Sequence, residues 1–172
     1  MRVVISGGPC SGKSTLIREL GNKGYAVMKE VARKVLDTKG TREVSVDLQM
    51  EIASRQIECE NELNDGEITF LDRGLVDVMV YSNHFLGGLP NVLEGFQFRN
   101  RYDVVFIPDR LPFEDDGLRI ESGEEHAQAL HDEVWKAYED CGYDVERVPV
   151  MPLEERVDYI IDHLKKVKGG GR

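Results

Sequence analysis

The segment Gly7-Gly8-Pro9-Cys10-Ser11-Gly12-Lys13-Ser14 fits the pattern G-x-x-x-x-G-K-[ST] without a mismatch. No other feature constrains the chain as tightly, because the pattern works in one setting only: a strand must feed it and a helix must leave it. Both are readable here. Val3-Val4-Ile5 is an apolar run closed by glycines, and Ser14 to Leu20 reads as a helix ending near Gly21. The glycines let the backbone curl so that successive N–H groups converge on phosphate oxygens, and the positive end of the helix adds to the field. Lys13 is expected to reach the terminal phosphates of a nucleoside triphosphate. Ser14 is expected to hold Mg²⁺ through its hydroxyl, and Thr15 to help with the inner phosphate. Cys10 is read as a small loop residue, since no base partner stands beside it to make it a nucleophile.

The rest of the chain alternates strands and helices. Tyr25 to Met28, Ile68 to Leu71, Tyr102 to Ile107 and Val145 to Val150 read as further strands, the fourth strand stopped by Pro108. Helices are expected over Val31 to Asp37, Asp47 to Leu63, Val76 to Phe85, Glu124 to Asp140 and Leu153 to Val167. The strands are apolar runs without clean alternation, which is the pattern of a parallel sheet covered on both faces. An α/β fold with five parallel strands follows, in which chemistry sits at the carboxyl ends of the strands. One domain over residues 1–168 is expected, with a lid over about 110–123 and a flexible glycine tail over 169–172.

Composition narrows the partners. Lys and Arg number 22 against 32 Asp and Glu, a formal net charge of −10. That leaves no basic surplus to neutralise a nucleic-acid backbone, so no nucleic-acid partner is expected. The 3 cysteines form no C-x-x-C pair, which argues against a disulfide framework or a zinc cage. No apolar run approaches the ~20 residues of a membrane span. A cytoplasmic protein is the expectation, and a homodimer is left open. His84, His126, His131 and His163 share no metal-like spacing. Trp135 falls at helical spacing and reads as core.

At the third strand end, Ile68 to Leu71 runs into Asp72 and Arg73. An acid at that tip is placed to organise Mg²⁺ through its water shell, and the guanidinium to bridge phosphates of two substrates. A strand-end Asp that caps the next helix is the competing reading. Glu30 ends the second strand, where an acid also balances a helix dipole. Arg33 lies one turn further on, in reach of an acceptor or of Glu30. The long third helix carries Gln49, Arg55 and Gln56, whose polar groups are candidates for acceptor contact; polar helix residues are otherwise commonly surface.

Leu71-Asp72-Arg73-Gly74-Leu75-Val76-Asp77-Val78 with Tyr81 resembles the D-R segment of thymidylate kinases and the E-R-S segment of deoxynucleoside kinases. It is still more similar to a group of small P-loop ATPase domains that includes the bacterial nicotinamide-riboside kinase domain. Glu30-Val31-Ala32-Arg33 matches that group's E-x-x-R. Asp47-Leu48-Gln49-Met50 with Arg55-Gln56 matches its Gln-bearing helix, and Phe113-Glu114-Asp115-Asp116-Gly117-Leu118-Arg119 its acidic D-D-G-L-R loop.

The resemblance implies a three-layer α/β/α P-loop fold of the nucleoside/nucleotide-kinase type. It implies Glu30 as the base that takes the acceptor's proton, with Asp72 as the rival. It implies Arg33, Gln49, Arg55, Asp115 and Asp116 at the acceptor. Arg119, with Arg110 nearby, is implied as the lid arginine. The activity implied is Mg²⁺-dependent transfer from ATP, or GTP, to the hydroxyl of a nucleoside- or riboside-like small molecule. A nucleotide-dependent switch without a small acceptor is the competing reading. The one N-K pair, Asn22-Lys23, sits just after the first helix and cannot be the N-K-x-D guanine reader of switch GTPases.

Overall fold

Val3, Val4 and Ile5 are all fully buried, so the first strand has a covered face on each side. The computed structural model describes residues 1–41, 43–112 and 123–170. In chain order it contains β1 (Arg2–Ile5), α1 (Lys13–Asn22), β2 (Ala26–Met28), α2 (Val31–Lys39), α3 (Val46–Asn61), β3 (Thr69–Asp72) and α4 (Leu75–Leu86). A short 3-10 turn (Asn91–Leu93), β4 (Val104–Pro108), α5 (Glu124–Asp140), β5 (Val145–Val148) and α6 (Leu153–Gly170) complete it. The strands form one sheet of 5 in the order β2-β3-β1-β4-β5, and every pairing is parallel.

Side chains alternate across a strand, so one short apolar run feeds two cores. Val3 and Ile5 join Phe70 and Phe106 under α1 and α6, against Leu16, Leu20, Ile160 and Leu164. Val4 joins Leu71, Val105 and Ile107 under α4 and α5, against Val76, Leu130, Val134 and Tyr138. Each such residue contributes about 1.5–3 kcal/mol of burial. A third cluster packs α2 and α3 onto α4 through Val31, Val35, Leu48, Ile52, Leu75 and Val78. This last cluster sets α2 and α3 beyond the carboxyl ends of the strands, beside the loop that follows β1.

The structure departs from the sequence expectations in several places. Pro108 does not stop β4 but closes it, paired with Val148, because its missing N–H is not needed for that ladder. β5 ends at Val148, and Val150 lies outside it and exposed. α3 starts earlier than expected because Ser45 caps it, its Oγ accepting from Leu48 N at 3.2 Å. Its buried stripe runs through Gln49, Ile52, Ala53, Gln56 and Glu60, while Ile57 and Leu63 are only half-buried. α6 continues to Gly170, so the helix takes up two of the residues expected in a flexible tail. No helix among the described residues is long and apolar enough to cross a membrane.

Candidate functional site: a phosphate cradle and the cleft beside it

β1 is the central strand, so the loop after it is flanked by the tips of β3 and β4. Gly7 (φ 115°), Cys10 (φ 58°) and Gly12 (φ 79°) adopt left-handed backbone conformations. Each of five successive loop carbonyls, from Gly7 to Ser11, has a donor. Gly7 O accepts from Arg73 Nη1 at 3.3 Å, and Gly8 O from Lys13 Nζ at 2.6 Å and Ser11 Oγ at 3.0 Å. Pro9 O accepts from Arg110 Nε at 3.1 Å, Cys10 O from Leu111 N at 2.7 Å, and Ser11 O from Arg156 Nη1 at 3.2 Å. A loop curled by such residues can present successive amides to an anion.

Lys13 is buried, and its ammonium lies over the loop on Gly8 O and Ser11 Oγ. Burial first, and the Arg73 charge second, push its pKa down to about 8. A cation so destabilised gains most from a ligand that brings negative charge to it.

Asp72 ends β3, paired with Ile5 across the ladder, and is buried. Its Oδ2 accepts from Ser14 Oγ at 2.8 Å, while Oδ1 is buried without a hydrogen-bond partner among the described residues. Burial, then the Glu30 charge, raise its pKa above the ordinary carboxylate value. An orphaned carboxylate oxygen beside a serine hydroxyl at the phosphate loop is a donor set of the hard-oxygen kind that suits Mg²⁺. Among the described residues no group of three or more His, Cys, Asp or Glu could hold a metal by itself.

Arg73 stands in a left-handed conformation (φ 71°), uncommon for a residue with a Cβ. Its surroundings fix it there. Nε donates to Glu30 Oε1 at 3.0 Å, Nη1 donates to Asp77 Oδ1 at 3.2 Å as well as to Gly7 O, and the guanidinium lies 4.9 Å from the Tyr81 ring centroid. Asp77 is the buried anchor. It accepts from Ser6 Oγ at 2.7 Å, Gly74 N at 2.9 Å and Tyr138 Oη at 2.7 Å. One carboxylate thus ties together the end of β1, the start of α4 and α5. Tyr102 Oη accepts from Leu75 N at 2.6 Å and donates to Glu60 at 2.8 Å, fixing the same helix start from the other side.

A cleft of about 2300 Å³ extends from this loop between α2 and α3. Glu30, Arg33, Arg55, Asp72, Arg73 and Tyr81 are among its lining residues. Arg33 has no carboxylate at ion-pair distance among the described residues, since Glu30 is taken by Arg73. Gln49 is buried and its Oε1 accepts from Ser82 Oγ at 3.1 Å. Gln56 donates to Glu60 at 2.9 Å. Arg55 pairs with Glu58 at 2.6 Å on the exposed side of α3. Thr15 stands at the start of α1 on the cleft side. Asp115, Asp116 and Arg119 lie outside the described residues.

Sequence reasoning missed Asp77, His131 and Arg156. Asp77 had a signal, its i,i+4 spacing from Arg73. His131 and Arg156 had none, because the topology brings them to the loop from the far end of the chain. Arg156 donates to the carbonyls of Ser11, Asp109 and Pro149, joining the loop to the segments after β4 and β5.

The strand order, the cradle after β1 and the Asp72-Arg73 pair at the tip of β3 define a P-loop fold of the nucleoside/nucleotide-kinase type. The chain belongs to the AAA domain family, whose family model matches residues 2–156. No curated protein matches it. Among solved structures, a NadR protein in complex with NR is similar with a TM-score of 0.74 and 21% identity, over 94% of this chain and 50% of that one. The deoxyadenosine kinase of M. mycoides is similar at 0.66 and 19%, over 97% of this chain and 100% of that one. The shikimate kinase of Aquifex aeolicus is similar at 0.60 and 19%, over 99% and 100%.

Proposed function

We propose that the chain is a small-molecule kinase that transfers the terminal phosphoryl group of ATP, or GTP, to the hydroxyl of a nucleoside- or riboside-like acceptor. The observation that carries this reading is the Glu30–Arg73 pair, at 3.0 Å, on the wall shared by the phosphate loop and the α2–α3 cleft. An acid and a cation joined at that border serve both substrates. Bound with the nucleotide, Mg²⁺ would be held by Ser14 and Asp72 and would neutralise phosphate charge.

The chain's own groups do the rest. Loop amides and Lys13 seat the phosphates. Arg73 neutralises charge on the group in transit, held by Asp77 and Tyr81 in the one orientation that also reaches Gly7 O. Glu30 keeps Oε1 on Arg73 and takes the acceptor's hydroxyl proton on the other oxygen. The acceptor oxygen forms its bond to the terminal phosphorus as the bond to the bridging oxygen breaks, and the nucleoside diphosphate leaves. Arg33, with no carboxylate at ion-pair distance among the described residues, orients the acceptor, together with the cleft-lining Arg55. The neighbours bound to NR and named for deoxyadenosine support a riboside or nucleoside acceptor.

The AAA domain match supports a second reading, nucleotide hydrolysis without a small acceptor. Release of nucleoside diphosphate, measured with and without a panel of nucleosides and ribosides, separates the two. A compound that stimulates turnover and appears phosphorylated by mass spectrometry supports the kinase. Turnover indifferent to every compound supports hydrolysis.

A further inference from the structure

The Gly7–Gly8 peptide is gripped at both ends. Its carbonyl accepts from Arg73 Nη1 at 3.3 Å, and its N–H donates to Nδ1 of His131 at 3.2 Å. His131 lies on α5 and is buried. The fit leaves no slack. A Cβ on Gly8 would stand 2.7 Å from His131 Cβ and 2.9 Å from Ala127 O, and one on Gly7 would stand 3.3 Å from His131 Nδ1. A glycine at each position lets the loop lie directly on the imidazole.

The direction of the bond carries the chemistry. The Gly8 N–H can only donate, so Nδ1 must be bare and the imidazole neutral, with its proton on Nε2. We propose that His131 is a positioning residue for the phosphate loop: as acceptor for Gly8 N–H it fixes the Gly7–Gly8 peptide, and nucleotide binding depends on its imidazole staying unprotonated. The inference rests on the reading of this loop as a nucleotide site.

A proton on Nδ1 sets donor against donor. The peptide then loses its anchor on α5, and if it turns over, the Gly7 carbonyl leaves Arg73. The protonated ring also faces a second cation. The groups around it are Lys13 of the loop, Arg110 and Asp109 beyond β4, and Asp132 on its own helix. Arg110 is engaged by Glu124 at 2.7 Å and Asp109 by Arg147 at 2.7 Å. Burial first, then Lys13, hold the His131 pKa below the ordinary histidine value. The loop is therefore set for neutral pH and disarmed by acid.

Asparagine separates the acceptor from the titration, because its Oδ1 stands close to where Nδ1 stands and does not protonate. MgADP binding is measured by calorimetry for the wild-type chain, His131→Asn and His131→Leu between about pH 5 and pH 8. At the upper end, H131N is expected within about threefold of wild type and H131L about tenfold or more weaker, a lost charge-free hydrogen bond plus an orphaned amide. On acidification the ratio of wild-type to H131N Kd is expected to climb, approaching about tenfold per pH unit once the imidazole is protonated in the free protein. A ratio that stays flat with pH, or H131L binding as wild type, overturns the proposal; if H131L fails to fold, the wild-type to H131N ratio decides alone. The ¹⁵N spectrum of the ligand-free, histidine-labelled protein gives a second measure, expected to show the Nε2–H tautomer for His131. The Nδ1–H tautomer would overturn it. A wild-type chain that binds no nucleotide yet shows the Nε2–H tautomer would count against the function of the loop and leave its geometry standing.

Discussion

Ser14 Oγ donates to Asp72 Oδ2 at 2.8 Å, and the companion Oδ1 of the same carboxylate is buried with no donor among the described residues. A buried, half-satisfied carboxylate costs stability, and its raised pKa says the same. Because the folded state holds the proton more tightly than the unfolded chain, this group's contribution falls as pH rises through the window between the ordinary and the raised value. Asp72→Asn is therefore expected to raise the unfolding midpoint by about 2–4 °C, the shift that ~1 kcal/mol produces in a chain of this size. It is also expected to raise the Mg²⁺ concentration for half-maximal turnover about tenfold or more. Thermal unfolding and a Mg²⁺ titration check the two halves, and an unaltered titration removes Asp72 from the metal shell.

Glu30→Gln keeps an oxygen for Arg73 but loses the base. Single-turnover phosphoryl transfer is expected to slow by about 10²–10⁴ while nucleotide affinity changes less than about threefold. Rapid-quench and binding measurements made side by side decide it; an unchanged transfer rate moves the base elsewhere, with Asp72 next in line.

Lys13 offers a proton-counting test. Near pH 8 the free protein carries it partly neutral. Phosphate oxygens restore the charge, so nucleotide binding is expected to take up roughly half a proton there, fading below about pH 7 where the lysine is already charged. Calorimetry in two buffers of different ionisation heat measures the uptake. Lys13→Ala is expected to abolish nucleotide turnover and leave the circular dichroism spectrum unchanged; wild-type turnover in that variant contradicts the site.

Tyr138→Phe removes one of the hydrogen bonds to Asp77 Oδ2 and leaves the one from Gly74 N. The expected loss is about 1–2 kcal/mol, because the acceptor is charged but not orphaned. Denaturant titration measures it, and a loss under about 0.5 kcal/mol would show that Gly74 N alone satisfies Oδ2.

The sequence made plain whatever is local. The loop, its strand and its helix occupy consecutive residues, and α5 has the bounds Glu124–Asp140 that its amphipathic period and a preceding glycine suggest. Asp72 and Arg73 could be placed because strand tips gather at one edge of a parallel sheet. The burial of the polar residues of α3 was not legible, for a physical reason. Ser82 of α4 bonds the buried Gln49, Tyr102 and Arg101 bond the buried Glu60, and Glu60 in turn accepts from Gln56; periodicity does not reveal such partners. His131 and Arg156 reach the loop across 123 and 145 residues of chain, a distance at which local pattern is silent.

The ammonium of Lys13 rests on the Gly8 carbonyl, so the loop holds a cation of its own chain. An incoming anion competes with that internal guest rather than with water alone. A short anion such as free phosphate can offer one group in exchange, whereas a chain of phosphates draws the ammonium outward while still filling the amides behind it. On the reading of this loop as a nucleotide site, that exchange would favour long polyphosphates over short anions before any base or acceptor is recognised.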